Sequence, residues 1–147
     1  MITNEKFEKM CVSGEVSGPC SETTIHDAEA ALNVSFPQQY RDFLTNFGSG
    51  LFAGIEVYGL PDPVKNDPPL WQDVVKVTKQ LRGWGQAGTD NPKFVPITED
   101  GTGVYFFLDT AASPSTKILA VGPGVERMVS SDLFAFLVDL SEGRIQF

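Results

Sequence analysis

Histidine is nearly absent: this chain of 147 residues has one, His26. Nucleophilic and general acid–base catalysis most often recruit an imidazole. Without others to draw on, an enzyme built on this sequence would have to work with carboxylates. No Gly-x-Ser-x-Gly is present. The stretch Phe47-Gly48-Ser49-Gly50 lacks the spacer and follows an expected helix, whereas a nucleophile elbow follows a strand. Gly48, Gly50 and Gly54 are likewise in the wrong order for a dinucleotide loop, which must leave a strand and open a helix. Cysteine is scarce. Cys11 and Cys20 stand nine positions apart with no Cys-x-x-Cys pair, too few for a disulfide framework or a zinc site, so reduced thiols are expected.

Basic residues are also few. Eleven Lys and Arg face nineteen Asp and Glu, a formal net charge of −8. Such a surface repels phosphate backbones and anionic lipid, so neither nucleic acid nor membrane is an expected partner. Lys76, Lys79 and Arg82 form one small patch on a single expected helix, short of a nucleic-acid stripe. No apolar run approaches the ~20 residues of a membrane span. The opening MITNEKFEKM lacks the charged and apolar regions of a secretory signal. Cytoplasmic residence is the expectation.

What is plentiful is core material: hydrophobic residues make up 41% of the chain, with eleven Phe. Residues 1–147 are expected to fold as one domain, with 1–23 a helix and loop attached to it. Asn4 to Cys11 predicts a short helix on Phe7, Met10 and Cys11, and Gly14 to Pro19 a loop. Thr24, with Asp27 three positions on, predicts a helix start. Ile25, Ala28 and Leu32 then share one face. Pro37 opens a second helix carrying Tyr40, Phe43, Leu44 and Phe47 at i, i+3, i+4, i+7, and Gly48 ends it. Leu51 to Leu60 reads as a strand region. Asp67 is expected to cap a third helix on Trp71, Val74, Val75, Thr78 and Leu81, with a stop at Gly83. Phe94–Thr98, Val104–Asp109, Lys117–Val121 and Glu126–Val129 read as strands joined by short turns, hence antiparallel. A last helix follows Ser130 or Ser131 with Leu133, Phe136, Leu137 and Leu140 inward. The class is α+β: a single largely antiparallel sheet of about four to six strands flanked by helices.

Three sets of residues are candidates for a working surface. Residues 1–67 hold ten acids against four bases, and 68–147 nine against seven, so the excess acid lies in the first half. There, Glu56, Asp62 and Asp67 fall on a strand end and a Pro-rich loop. Glu99 and Asp100 mark a hairpin tip, where Gly101-Thr102-Gly103 supplies none of the further carboxylates a calcium loop needs. Trp84 stands between two glycines. Packing in the core is its expected fate; exposed, it would be a natural interface anchor. No metal, cofactor or catalytic residue is expected, although a spatial pair of carboxylates is invisible to sequence.

Thr24-Ile25-His26-Asp27-Ala28-Glu29-Ala30-Ala31-Leu32, then Phe36-Pro37-Gln38-Gln39-Tyr40-Arg41-Asp42-Phe43-Leu44, then Phe47-Gly48-Ser49-Gly50 resemble the opening of the SUKH superfamily. Phe94 to Asp109 resembles the family's strand, Asp-Gly-x-Gly turn and strand, and Asp132 to Leu140 its closing helix. The segment before Thr24 has no counterpart, and Phe47 stands where many members have Asn. The resemblance implies an α+β fold and a protein-binding role without catalysis. Bacterial members look like immunity proteins of polymorphic toxin systems, and fungal relatives are similar to Smi/Knr-type cell-wall synthesis regulators. It therefore implies a cognate toxin as partner, basic if it is a nuclease, bound by a monomer or weak dimer that occludes the toxin's active site. A general interaction or regulatory module with no toxin is the alternative, and a small carboxylate enzyme the third reading.

Overall fold

The computed structural model describes residues 4–61 and 73–145. Asp62, Asp67 and Trp71, and with them the expected helix start at Asp67, lie outside the described residues.

Asn4 caps α1 (Glu5–Ser13), accepting from the Phe7 amide at 3.0 Å. The chain then forms a two-residue strand, β1 (Glu15–Val16), inside the stretch expected to be loop. Next comes α2 (Glu22–Leu32), whose cap is Ser21, three residues before the Thr24 expected from sequence. Ser21 Oγ accepts from the Thr24 amide at 3.2 Å, so Thr24 lies inside the first turn and His26 is the fifth helical residue. Pro37 sits at the cap of α3 (Gln38–Phe47). Its fixed φ suits an extended entry, and its missing N–H is no loss there. Gly48 ends the helix at φ +77°, and any side chain on it or on Gly59 would collide with neighbouring backbone. The helix end and the chain leaving β3 approach so closely that only glycine fits.

The region expected to be one strand is a hairpin, β2 (Gly50–Phe52) and β3 (Ile55–Val57), with Phe52 paired to Ile55. Ala53 and Gly54 form its two-residue turn, both at positive φ (51° and 81°), as a type I′ turn demands. After the undescribed segment comes α4 (Val74–Trp84), capped by Asp73 and closed by Gly85 in the left-handed conformation. It therefore runs past the stop expected at Gly83, and Trp84 is its last residue. Val74, Val77, Thr78 and Leu81 are its buried face.

The rest is a four-stranded antiparallel meander: β4 (Phe94–Glu99), β5 (Tyr105–Asp109), β6 (Ile118–Gly122) and β7 (Val125–Ser130). A 3₁₀ turn at Thr110–Ala112 follows β5. The closing helix, α5 (Leu133–Ser141), is capped by Asp132, not by either serine. The α+β class is as expected. The single sheet is divided in two, β1–β2–β3 and β4–β5–β6–β7. Across the seam the Tyr58 amide donates to the Ile97 carbonyl at 2.8 Å and Thr98 Oγ1 to the Glu56 carbonyl at 2.7 Å.

One core spans both sheets. Phe7 is fully buried against Phe47, Phe52 and Phe134, which ties α1 into it. Tyr40, equally buried, donates its hydroxyl to the Tyr58 carbonyl at 2.7 Å. Burial pushes the Tyr40 phenol well up from its usual value, with the charge of Asp73 adding to it.

Candidate functional site

A cleft of about 700 Å³ is walled by Gly54, Ile55, Glu56, Tyr58, the hairpin tip Glu99–Thr102, Leu140 and Ile145. Four parts of the chain meet there. The type I′ turn ends β2 at Phe52 and turns β3 back, placing Ile55 and Glu56 on one wall. The β4–β5 hairpin brings Glu99 and its tip to the other. The last turn of α5 supplies Leu140, and the chain beyond it Ile145.

Thus Glu56 and the pair Glu99–Asp100, more than forty positions apart in the chain, line one cleft. Their states differ. Asp100 is occupied by its own loop: Oδ1 accepts from the Thr102 amide at 2.8 Å, the Thr102 hydroxyl at 2.7 Å and the Val104 amide at 3.3 Å. This Asx-type turn, with Gly101 and Gly103 at positive φ, makes Asp100 chiefly an organiser of the hairpin. Glu99 is exposed at the rim and takes a hydrogen bond from the Tyr105 hydroxyl. Glu56 is partly buried, and its Oε1 is shielded from solvent with no hydrogen-bond partner. The only other such side-chain oxygen among the described residues is the Thr116 hydroxyl, which carries no charge.

The electrostatics follow. Burial pushes the Tyr58 phenol well above its ordinary range, and the negative charges of Glu99 and Glu56 push the same way. Tyr105 is raised by burial and by Glu99. The cleft thus combines negative charge with an apolar lining of Ile55, Leu140, Ile145 and the Tyr58 ring, and offers acceptors for a cation. Among the described residues no group of three His, Cys, Asp or Glu is placed to hold a metal ion.

Trp84 is elsewhere. It is 67% exposed, against the expectation that it packs: its position continues the stripe of Val77 and Leu81 by helical period, but it is the last residue of α4 and the buried part of that stripe ends at Leu81. It does not line the cleft. Lys76 and Lys79 are exposed on the same helix, as expected. Ser49 is fully buried and donates to Ser17 Oγ at 2.8 Å, so the Phe47-Gly48-Ser49-Gly50 stretch is scaffold. Cys11 and Cys20 are free and partly buried, and burial pushes both thiols up to about 11.

Sequence reasoning missed the ion-pair cluster at the α2–α3 junction. Arg41 reaches Glu29 Oε1 at 2.7 Å and Glu22 Oε2 at 2.6 Å. Glu29 Oε2 accepts from the Phe36 amide at 2.7 Å. His26 lies 3.5 Å from Glu29 and 3.9 Å from Glu22, with its side chain 68% exposed. The signal was present as a Glu four residues after Ile25, but its partners become visible only when the helices pack.

A mixed α+β core, with a helix pair leading into a hairpin and a meander closed by a helix, defines the class of protein. The family model described as SMI1-KNR4 cell-wall, SUKH_6, matches residues 22–137. The chain belongs to that family, within the SUKH superfamily. The family is generally one of non-catalytic immunity or regulator proteins. The match begins at the first residue of α2, so α1 and β1 lie outside it. No curated protein matches the chain. No described helix is long and apolar enough to cross a membrane.

Proposed function

We propose that this chain is an immunity protein: it binds a cognate toxin, a basic nuclease fitting best, and covers its active site, itself carrying out no catalysis. Membership of the SUKH family supports the role, and the cleft that gathers Glu56 and Glu99 on an acidic molecule is the observation that carries the choice of partner. Nucleases that grip phosphate are basic, and an acidic inhibitor meets such a surface fast through electrostatic steering. In this reading Glu56 and Glu99 contact the toxin directly, Asp100 holds the hairpin that presents Glu99, and Trp84, Asp62 and Asp67 are further contact candidates. The protein acts in the cytoplasm as a monomer or weak dimer.

The test is co-expression with the products of the neighbouring genes, assayed for toxicity. Rescue of growth and co-purification of a complex are the expected results. A cell that dies as fast with this protein as without it, and no complex in pull-down, would sink the reading. The description SMI1-KNR4 cell-wall favours a second reading, a regulatory interaction module with no toxin. A gene with no toxin or secretion genes around it, and a stable complex with a cell-wall synthesis protein, would select it.

A further inference from the structure

We propose that the partner inserts one cationic side chain, an arginine or lysine, into the cleft, where it pairs with Glu56 and is flanked by Glu99. The proposal rests on reading the chain as a protein-binding domain and adds what the partner must present.

Glu56 is the central observation. An ionised carboxylate has about four acceptor positions, and leaving one shielded and unmet is costly. Other partly buried acids among the described residues are answered from within. Glu29 meets Arg41 and the Phe36 amide. Asp73 accepts from the Val75 and Lys76 amides. Glu56 Oε1 has no such partner, and Glu99 at the same cleft adds like charge. Oε1 itself is closed to solvent, so a cation in the cleft would act on the charge of the whole Glu56 carboxylate and on that of Glu99.

The walls specify the kind of donor. Ile55, Leu140, Ile145 and the Tyr58 ring line the same cleft. Long basic side chains lay apolar stems along such surface and carry the charge at the tip, and a guanidinium also stacks on an aromatic ring and forks onto a carboxylate. A bare divalent cation fits poorly. Asp100 is already engaged by three donors, and no three ligands are gathered among the described residues. A volume of about 700 Å³ accommodates a side chain together with the residues on either side of it, which points to a protruding loop of a protein.

The probe is a blocked hexapeptide with a central arginine, compared with the same peptide carrying the neutral isostere citrulline, in amide NMR titrations of the full chain at low salt. Shifts centred on Gly54, Gly101 and Thr102, present for arginine and absent for citrulline, are expected. They should weaken at least about tenfold in Glu56→Gln, while Glu126→Gln on β7 leaves them in place. Equal response to both peptides, or shifts untouched by Glu56→Gln in a variant whose spectrum shows it folded, would overturn the proposal. Glu99→Gln gives a second handle with a smaller loss expected. Capture of the neighbouring toxin separates the two claims. Toxin bound equally by wild type and Glu56→Gln refutes the insertion and leaves the immunity reading standing. No toxin bound, with the peptide pattern intact, refutes the immunity reading alone.

Discussion

Glu29 and Glu56 are both partly buried acids of the same family scaffold, yet they stand in opposite conditions. Glu29, whose side chain is 13% exposed, joins α2 to α3 through Arg41 and holds the Phe36 amide that would otherwise be an open donor ahead of α3. Its charge is fully used inside the molecule. Glu56 sits on a short strand at the mouth of a cleft, one oxygen shielded and unmet. A fold has every reason to answer a buried charge, since an unmet one costs more than a lost contact gains. Where the charge is answered, the residue serves the architecture. Where it is not, an outside partner is the simplest reason for keeping it.

The largest effects belong to the architecture. Phe7 lies outside the family match but inside the core, in contact with three other rings. Phe7→Ala should cost about 3–5 kcal/mol in urea unfolding. A loss under about 1 kcal/mol would mean that α1 is an accessory, and the comparison would then apply only to residues 22–137. Next comes Glu29→Ala, which strands the Phe36 amide and leaves Arg41 with Glu22 as its one remaining carboxylate, and should cost about 2–3 kcal/mol. Adding Arg41→Ala to it should cost less than the two losses summed, because the pair shares one interaction; strict additivity in that double-mutant cycle would dissolve the junction as a unit.

Much of the architecture was legible because it obeys local rules. The stripe Tyr40, Phe43, Leu44, Phe47, the Asp-Gly-x-Gly hairpin and the closing helix all declare themselves by period and punctuation. The caps differ from expectation by three residues at α2 and by one or two at α5. Ser21 and Asp132 compete with equally eligible neighbours, and only the emerging direction of the chain decides among them. The β2–β3 hairpin was hidden because its turn is Ala53-Gly54, where alanine at φ +51° replaces the usual Asn or Asp. Trp84 was misread because Gly83, a natural stop, is carried through the last helical turn to Gly85. As for the candidate site, two separate places in the sequence prove to line one cleft. Whether a carboxylate is answered depends on contacts across forty positions, which no window of sequence contains. That is also why Asp100 and Glu99, adjacent in sequence, share one expectation yet stand in different surroundings, Asp100 alone being engaged by its own loop.

Tyr40 offers a smaller effect that separates the core from the cleft by pH. Its hydroxyl donates to the Tyr58 carbonyl within the core. Tyr40→Phe should cost about 1–2 kcal/mol at neutral pH. Burial holds the folded phenol well above its ordinary value of 10.0. The folded state therefore holds its proton where the unfolded chain has released it, and stability falls as pH rises past about 10. Below that value neither state is ionised and the contribution is constant. Denaturation midpoints measured from pH 8 to 11.5 should bend downward in wild type and bend less in Tyr40→Phe. Identical curves would place the alkaline loss on the other groups raised by burial, Tyr58, Tyr105, Cys11 and Cys20.

The smallest effect is the most discriminating. Glu56→Gln should leave the unfolding free energy within about 0.5 kcal/mol of wild type, or raise it slightly. The amide keeps the size of the side chain, removes the like-charge opposition of Glu99 and brings an N–H₂ group that can donate where the carboxylate could only accept. At Glu29 the same isosteric change must be destabilising, because Arg41 loses the more buried of its two counter-charges there and keeps only the exposed Glu22. Urea midpoints for Glu29→Gln and Glu56→Gln, measured side by side at low and high salt, put the opening contrast on one axis. A large loss at Glu56 matching the loss at Glu29 would make Glu56 a structural acid whose partner lies within the fold, and the cleft would lose its claim on an outside cation. A loss at Glu29 alone means that the charge at Glu56 contributes nothing to folding, so that its use has to be sought in what the cleft binds.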